Sequence, residues 1–135
     1  MKAVIIDDEQ HCITTLLWSL NQYCAGVEVI GVASNGADGL QLIEQFNPDL
    51  VFLDIEMPIL SGIDMLLSIK EINFKVIFTT AYDKYALNAI KLNALDFLLK
   101  PIDKDELIIA INKAQKDIQP IIPQQIEQLQ ESHKS

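Results

Sequence analysis

Positive charge is scarce in this chain: ten basic residues stand against nineteen acidic ones, a formal net charge of −9 over 135 residues. Such an excess repels nucleic acid and anionic lipid over most of a surface, so direct DNA contact by this chain is disfavoured. Cysteine is scarce as well. Cys12 and Cys24 lack metal-ligand spacing, and two thiols do not make a disulfide framework, so the expected home is a reducing cytoplasm. There is no long apolar run, and no small-residue cleavage site follows the opening MKAVIIDDE; neither a membrane span nor a signal peptide is expected. Half of the residues are hydrophobic, enough for the core of one domain without disulfides or metals as staples.

Short β-branched runs alternate five times with longer segments of helical period. Strands are predicted over 3–7, 27–34, 50–54, 75–80 and 96–100, and helices over 10–23, 36–46, 61–72, 83–92 and 103–117. Ile13, Leu16, Leu17 and Leu20 share one face of the first helix, Leu107, Ile108, Ile111 and Ala114 one face of the last, and Asp83 is positioned to cap the fourth. Strands apolar on both sides call for a parallel sheet covered on both faces. The expectation is a (βα)5 doubly wound, flavodoxin-like α/β sheet of strand order 2-1-3-4-5 over residues 1–118. From 119 the Gln-rich QPIIPQQIEQLQESHKS reads as a linker or tail leading to a further domain.

Sheets of this kind bind ligands at the carboxyl ends of their strands. There the first strand offers Asp7 and Asp8, the third Asp54, the fourth Thr79 and Thr80, and the fifth Lys100. Three neighbouring carboxylates raise one another's pKa and destabilise the fold unless a cation joins them. Lys100 supplies one charge. The remaining oxygens suit Mg²⁺, with Mn²⁺ able to substitute, and no His or Cys stands where zinc would be preferred. A hard metal beside a carboxylate, a hydroxyl and a lysine is equipment for a phosphoryl group. Asp54 stands alone at the end of a central strand, before a turn whose Pro58 and Gly62 are expected to hold the backbone away. It is therefore the best exposed nucleophile, Asp7 and Asp8 the metal holders, and an acyl phosphate the product.

DDE at 7–9, DIEMP at 54–58 with Gly62, TTA at 79–81 and KP at 100–101, taken at their joint spacing, resemble the receiver domain of bacterial two-component response regulators. The resemblance implies that Asp54 takes a phosphoryl group from a phosphohistidine on a cognate histidine kinase. It implies Asp8, Asp54 and the Glu56 backbone carbonyl as direct Mg²⁺ ligands, with Asp7 acting partly through water. Thr80, Lys100 and the Ala81 backbone would hold phosphoryl oxygens, and the bond before Pro101 would be cis. Thr80 and Phe97 would form the switch; Phe97 lacks the hydroxyl that tyrosine brings to this place in many receivers, so packing must drive it. Glu56 and Tyr82 would flank the entrance, Tyr82 shielding the acyl phosphate so that self-dephosphorylation is slow to moderate.

Such a module is not an enzyme in the ordinary sense, since it catalyses only its own phosphorylation and dephosphorylation. The face formed by the fourth helix, fifth strand and fifth helix is the expected homodimer surface, with Tyr85, Lys91, Asp96, Lys104 and Lys113 available for mixed-charge contacts. The wording ALDFLLKP (94–101) and FTTAYDKYAL (78–87) is closest to receivers that precede a LytTR-type DNA-binding domain, so DNA contact would belong to an output domain outside this chain.

Three other functions compete. An aspartyl-nucleophile phosphatase generally carries a second Asp two residues after the nucleophile, where Glu56 stands here. An FMN-binding protein of this fold needs a Ser/Thr/Gly-rich loop where this chain has DDEQH. A phosphorylation-independent pseudo-receiver usually loses part of the acidic set, which is complete. Among the remaining residues, His11 in the first turn of a helix reads as solvated, Cys12 and Cys24 as packing residues, Met57 as a loop plug, and Trp18, off the apolar stripe, as a rim residue or partner contact.

Overall fold

The computed structural model describes residues 1–85 and 94–116. Five strands form one parallel sheet in the order β2-β1-β3-β4-β5: β1 (Lys2–Ile6), β2 (Glu28–Ala33), β3 (Leu50–Asp54), β4 (Lys75–Thr80) and β5 (Asp96–Leu99). The expected order is the observed one. β3 is buried at every residue because it lies at the centre with helices over both faces.

Side-chain alternation along the strands splits the core into two layers. Val4, Ile6, Val51, Leu53, Val76 and Phe78 face α2 (Gly36–Phe46) and α3 (Gly62–Leu67). Ala3, Ile5, Leu50, Phe52, Ile77 and Leu98 face α1 (Gln10–Tyr23) and the last described helix, α4 (Lys104–Lys116). Within α1, Ile13, Leu16 and Leu20 are buried as the periodicity requires, while Leu17 is half-buried at the edge of the same layer.

Side chains start three of the segments. Asn35 accepts the Asp38 amide at 2.8 Å, Ser61 accepts the Asp64 amide at 3.1 Å, and Asp103 Oδ2 accepts the amides of Asp105 and Glu106 at 3.0 Å each. α3 ends at Leu67, five residues before the predicted 72. The Ser68 hydroxyl donates to the Met65 carbonyl at 2.6 Å and the Ser68 amide turns onto Asp64 and Met65, closing the helix. Ile72 and Phe74 then enter the core directly rather than prolonging it. The helix expected over 83–92 does not start at Asp83: Asp83–Tyr85 is a single 3₁₀ turn that Asp83 begins rather than caps, and 86–93 lie outside the described residues, as does the tail over 119–135. Among the described residues no helix is long and apolar enough to cross a membrane.

Candidate functional site

The carboxyl ends of β1, β3 and β5 meet in one acidic cleft. One carboxylate oxygen from each of Asp7, Asp8, Glu9 and Asp54 falls within 4.8 Å of the others. Into this group reaches the Lys100 ammonium, 2.8 Å from Asp7 Oδ2, 3.3 Å from Asp54 Oδ2 and 3.7 Å from Glu9 Oε1. Asp7 and Asp54 are buried, whereas Asp8 and Glu9 open to solvent. Asp7 is held twice, since its other oxygen accepts the Glu9 amide at 2.9 Å. The DDE run thus gathers three consecutive carboxyls beside Asp54, two of which, Asp7 and Glu9, meet the Lys100 ammonium. Asp7 and Asp8 were legible from the strand end; Glu9 was not assigned a role, although it completes that run.

One ammonium cannot neutralise this set. Burial, followed by the charge of Asp7, pushes the Asp54 carboxyl up to about 7; the neighbouring Lys100 pulls the other way and does not prevail, and a hydrogen bond with Asp8 favours the protonated form. Burial opposes the charge on Lys100 too, but its contacts with Asp7 and Asp54 outweigh that and raise it above the ordinary lysine value. The two partners respond differently because Lys100 gains several carboxylates while Asp54 shares a single ammonium that lies closer to Asp7. The cleft is short of positive charge and its four carboxyls offer the oxygens that a hard divalent cation fits; contrary to the expectation that no Cys stands near, Cys12 Sγ lies within 4.8 Å of carboxylate oxygens of Asp7 and Glu9, because the first turn of α1 folds back beside the strand end.

The loop after β3 packs against the strand end instead of standing clear of it. The Gly62 amide bonds the Ile55 carbonyl at 2.9 Å, and a Cβ at Gly62 would run into the Asp54 carbonyl oxygen and approach the Leu53 side chain at 3.0 Å. Gly62 therefore does not hold the backbone away; it permits the loop to close on Asp54. At the loop tip Ile59, fully exposed, takes a left-handed φ of 70° inside a turn closed by the Leu60 amide on the Pro58 carbonyl at 2.7 Å. Met57 is buried in the α2–α3 layer.

On the neighbouring strand Thr79 lies opposite Asp54 in register, and both Thr79 and Thr80 are buried. Thr80 Oγ1 accepts the Tyr82 amide at 3.2 Å, while its carbonyl accepts the Lys100 amide at 2.7 Å. Phe97 is half-buried against the α2–α3 layer, opposite Phe78. Ala81 is exposed, and the Lys100–Pro101 bond is cis. Glu56 and Tyr82 sit on the two loops that come after β3 and β4. Between them is Lys84, which nothing in the sequence pattern singles out: its Nζ is 3.4 Å from Glu56 Oε1 and 5.4 Å from the centre of the Tyr82 ring.

Elsewhere His11 is exposed, Cys24 is buried in the α1–α4 layer, and half-buried Cys12 lines a cavity of about 110 Å³ with Leu16, Lys100, Pro101 and Ile102. Trp18 is exposed and meets Tyr23 edge to face. Of the residues expected to make mixed-charge contacts between copies, Asp96 and Lys113 pair within the chain at 3.3 Å and Lys104 lies over the Tyr23 ring of α1; Lys91 and the side chain of Tyr85 lie outside the described residues.

Residues 3–112 match the family model of the response regulator receiver domain. A response regulatory protein of Vibrio cholerae is 45% identical over 114 residues, covering 84% of this chain and 48% of that protein. The transcriptional regulatory protein BtsR of Escherichia coli strain K12 is 37% identical over 108 residues, covering 79% of this chain and 45% of its own length. The chain spans about half the length of the curated relatives it matches. Among solved structures, the response regulatory domain of mrkE from Klebsiella pneumoniae superposes with a TM-score of 0.77 at 30% identity, over 86% of this chain and 96% of that one. A DNA-binding response regulator of the LuxR family from Staphylococcus aureus gives a TM-score of 0.74 at 31% identity, over 84% and 97%.

Proposed function

The chain belongs to the response regulator receiver domain family, the phosphorylation-accepting module of two-component signalling, and on that premise we propose that Asp54 is its acceptor residue, served by a divalent cation. The observation that carries the reading is the cleft itself: four carboxyls gathered together, three of them paired with Lys100, with Asp54 buried at the end of the central strand.

The donor is a phosphohistidine on a cognate histidine kinase. An Asp54 carboxylate oxygen attacks phosphorus, the P–O bond forms as the P–N bond to the imidazole breaks, and the imidazole departs with the bonding electrons and takes up a proton. Lys100 stabilises charge on the phosphoryl oxygens, its ammonium already lying between Asp7 and Asp54. Thr80 and the Ala81 amide take the remaining oxygens, for which Thr80 must turn from its bond with the Tyr82 amide. That motion is the coupling to Phe97, which shares its layer with Phe78 two residues before Thr80.

Asp8, Asp54 and the Glu56 carbonyl are the residues that would hold Mg²⁺ or Mn²⁺ directly; Asp7, engaged by Lys100 and the Glu9 amide, would act partly through water. When bound, the cation supplies neutralisation of the crowded carboxylates and of the phosphoryl oxygens. Relatives about twice as long support an output domain beyond this chain, and we read it as DNA-binding, of the LytTR type, in a cytoplasmic regulator that dimerises through the face formed by the expected helix over 83–92, β5 and α4. The acidic balance of this chain leaves DNA contact to that domain.

The test is incubation with acetyl phosphate and Mg²⁺ followed by intact mass measurement. The reading requires a gain of one phosphoryl group, lost in Asp54→Asn and without metal. Catalytic turnover of phosphomonoesters with no adduct contradicts it.

A further inference from the structure

The mouth of the cleft is bounded by a ring of contacts that no reading of Asp54 alone requires. From Asp54 the chain runs two residues to Glu56, whose carboxylate meets Lys84 Nζ at 3.4 Å. The same ammonium lies 5.4 Å from the centre of the Tyr82 ring, and the Tyr82 amide is bonded to Thr80 Oγ1. The Ile55 amide on the Thr79 carbonyl at 3.2 Å closes the ring back to β3. Glu56 belongs to one wall of the mouth and Tyr82 to the other, and the cation holding both comes from the 3₁₀ turn after β4.

We propose that Lys84 is a positioning residue that ties these two walls together and lengthens the life of the phosphoryl group on Asp54. The inference rests on Asp54 being the acceptor. Two effects act in the same sense. One Glu56 carboxylate oxygen is committed to the Lys84 ammonium at 3.4 Å instead of being offered to a water approaching phosphorus. With the ammonium 5.4 Å from its ring centre, the half-exposed Tyr82 is restrained at its place on the loop after β4, two residues from Thr80. Hydrolysis of the acyl phosphate breaks the P–O bond to Asp54 and passes the phosphoryl group to water as inorganic phosphate. The coupling to Thr80 adds direction: once that hydroxyl turns to the phosphoryl group, the Tyr82 amide is released while the Lys84 contact with the ring remains.

The side chains are well exposed, 65% for Lys84 and 38% for Glu56, which limits the effect. A contact of this kind changes a rate by about two- to fivefold. The experiment phosphorylates the protein with acetyl phosphate and Mg²⁺, removes the donor, and records loss of the phosphoryl mass with time. Lys84→Met is expected to shorten the lifetime about two- to fivefold at unchanged melting temperature. In Glu56→Gln the same change should have a smaller effect, and the exchanged pair Glu56→Lys with Lys84→Glu should recover part of the lifetime. Raising the salt concentration should bring wild type toward Lys84→Met. A Lys84→Met lifetime equal to wild type, or effects that simply multiply with those of Glu56→Gln, overturns the inference while leaving Asp54 as acceptor. Failure of wild type to take up any phosphoryl group overturns both.

Discussion

Replacing Asp54 by asparagine should stabilise the metal-free protein. The Asp54 carboxyl is pushed from 3.8 to about 7, by burial first and then by Asp7, with Lys100 acting in the opposite direction. A carboxyl that binds its proton more tightly folded than unfolded lowers stability as pH rises between those two values, and the loss is complete above the upper one. At about 1.4 kcal/mol per unit, the ionised carboxylate costs on the order of 4 kcal/mol, of which relaxation of the cleft leaves roughly 2 to 4 kcal/mol to be recovered by an uncharged isostere. For a domain of this size that corresponds to a rise in melting temperature of roughly 10 °C.

The assay is thermal unfolding of wild type and Asp54→Asn in chelator across pH. The difference should be largest above about pH 7, fall to about half or less near pH 5, and vanish toward pH 3. Millimolar Mg²⁺ should raise the melting temperature of wild type more than that of Asp54→Asn, since ligand bound only by the folded state stabilises by mass action. An asparagine variant no more stable than wild type, or a difference that does not change with pH, would refute the argument that Asp54 is held charged at a cost.

Removing the cation paired with this cluster is predicted to act in the opposite sense: Lys100→Ala leaves buried Asp7 without its ion pair and should cost about 3 kcal/mol in urea unfolding. Gly62→Ala puts a methyl group into the Asp54 carbonyl and should cost about 2 kcal/mol together with a slower phosphorylation of Asp54, whereas Gly31→Ala, whose nearest neighbour is the flexible Leu42 side chain at 3.1 Å, should cost less. Ile59→Asn relieves a left-handed backbone at a β-branched residue whose side chain packs on nothing, and should raise the melting temperature by about 2 to 4 °C.

The sheet was readable because each strand is a short apolar run and each helix carries its buried face at regular spacing; parallel topology is required once both faces must be covered. The cleft was readable for the same reason: strand ends are fixed by the pattern, so Asp7, Asp54 and Lys100 had to meet. Features that the pattern did not reveal depend on contacts across the chain. α3 is cut short by the Ser68 hydroxyl, a local bond that competes with an otherwise helical run. The closeness of Gly62 to Asp54 depends on how the loop folds back, so its role was read with the wrong sign. Glu9 and Lys84 are ordinary charged residues in sequence, and only the approach of Lys100 in one case and of Glu56 in the other brings them to the site.

Chemistry at the residue tests whether Asp54 is the phosphoryl acceptor. Treating the phosphorylated protein with borohydride reduces an aspartyl phosphate to homoserine, and peptide sequencing by mass spectrometry locates it. Homoserine is expected at position 54, dependent on Mg²⁺ and absent when the donor is omitted. Homoserine at another aspartate, or label at 54 that forms equally well in chelator, would contradict it.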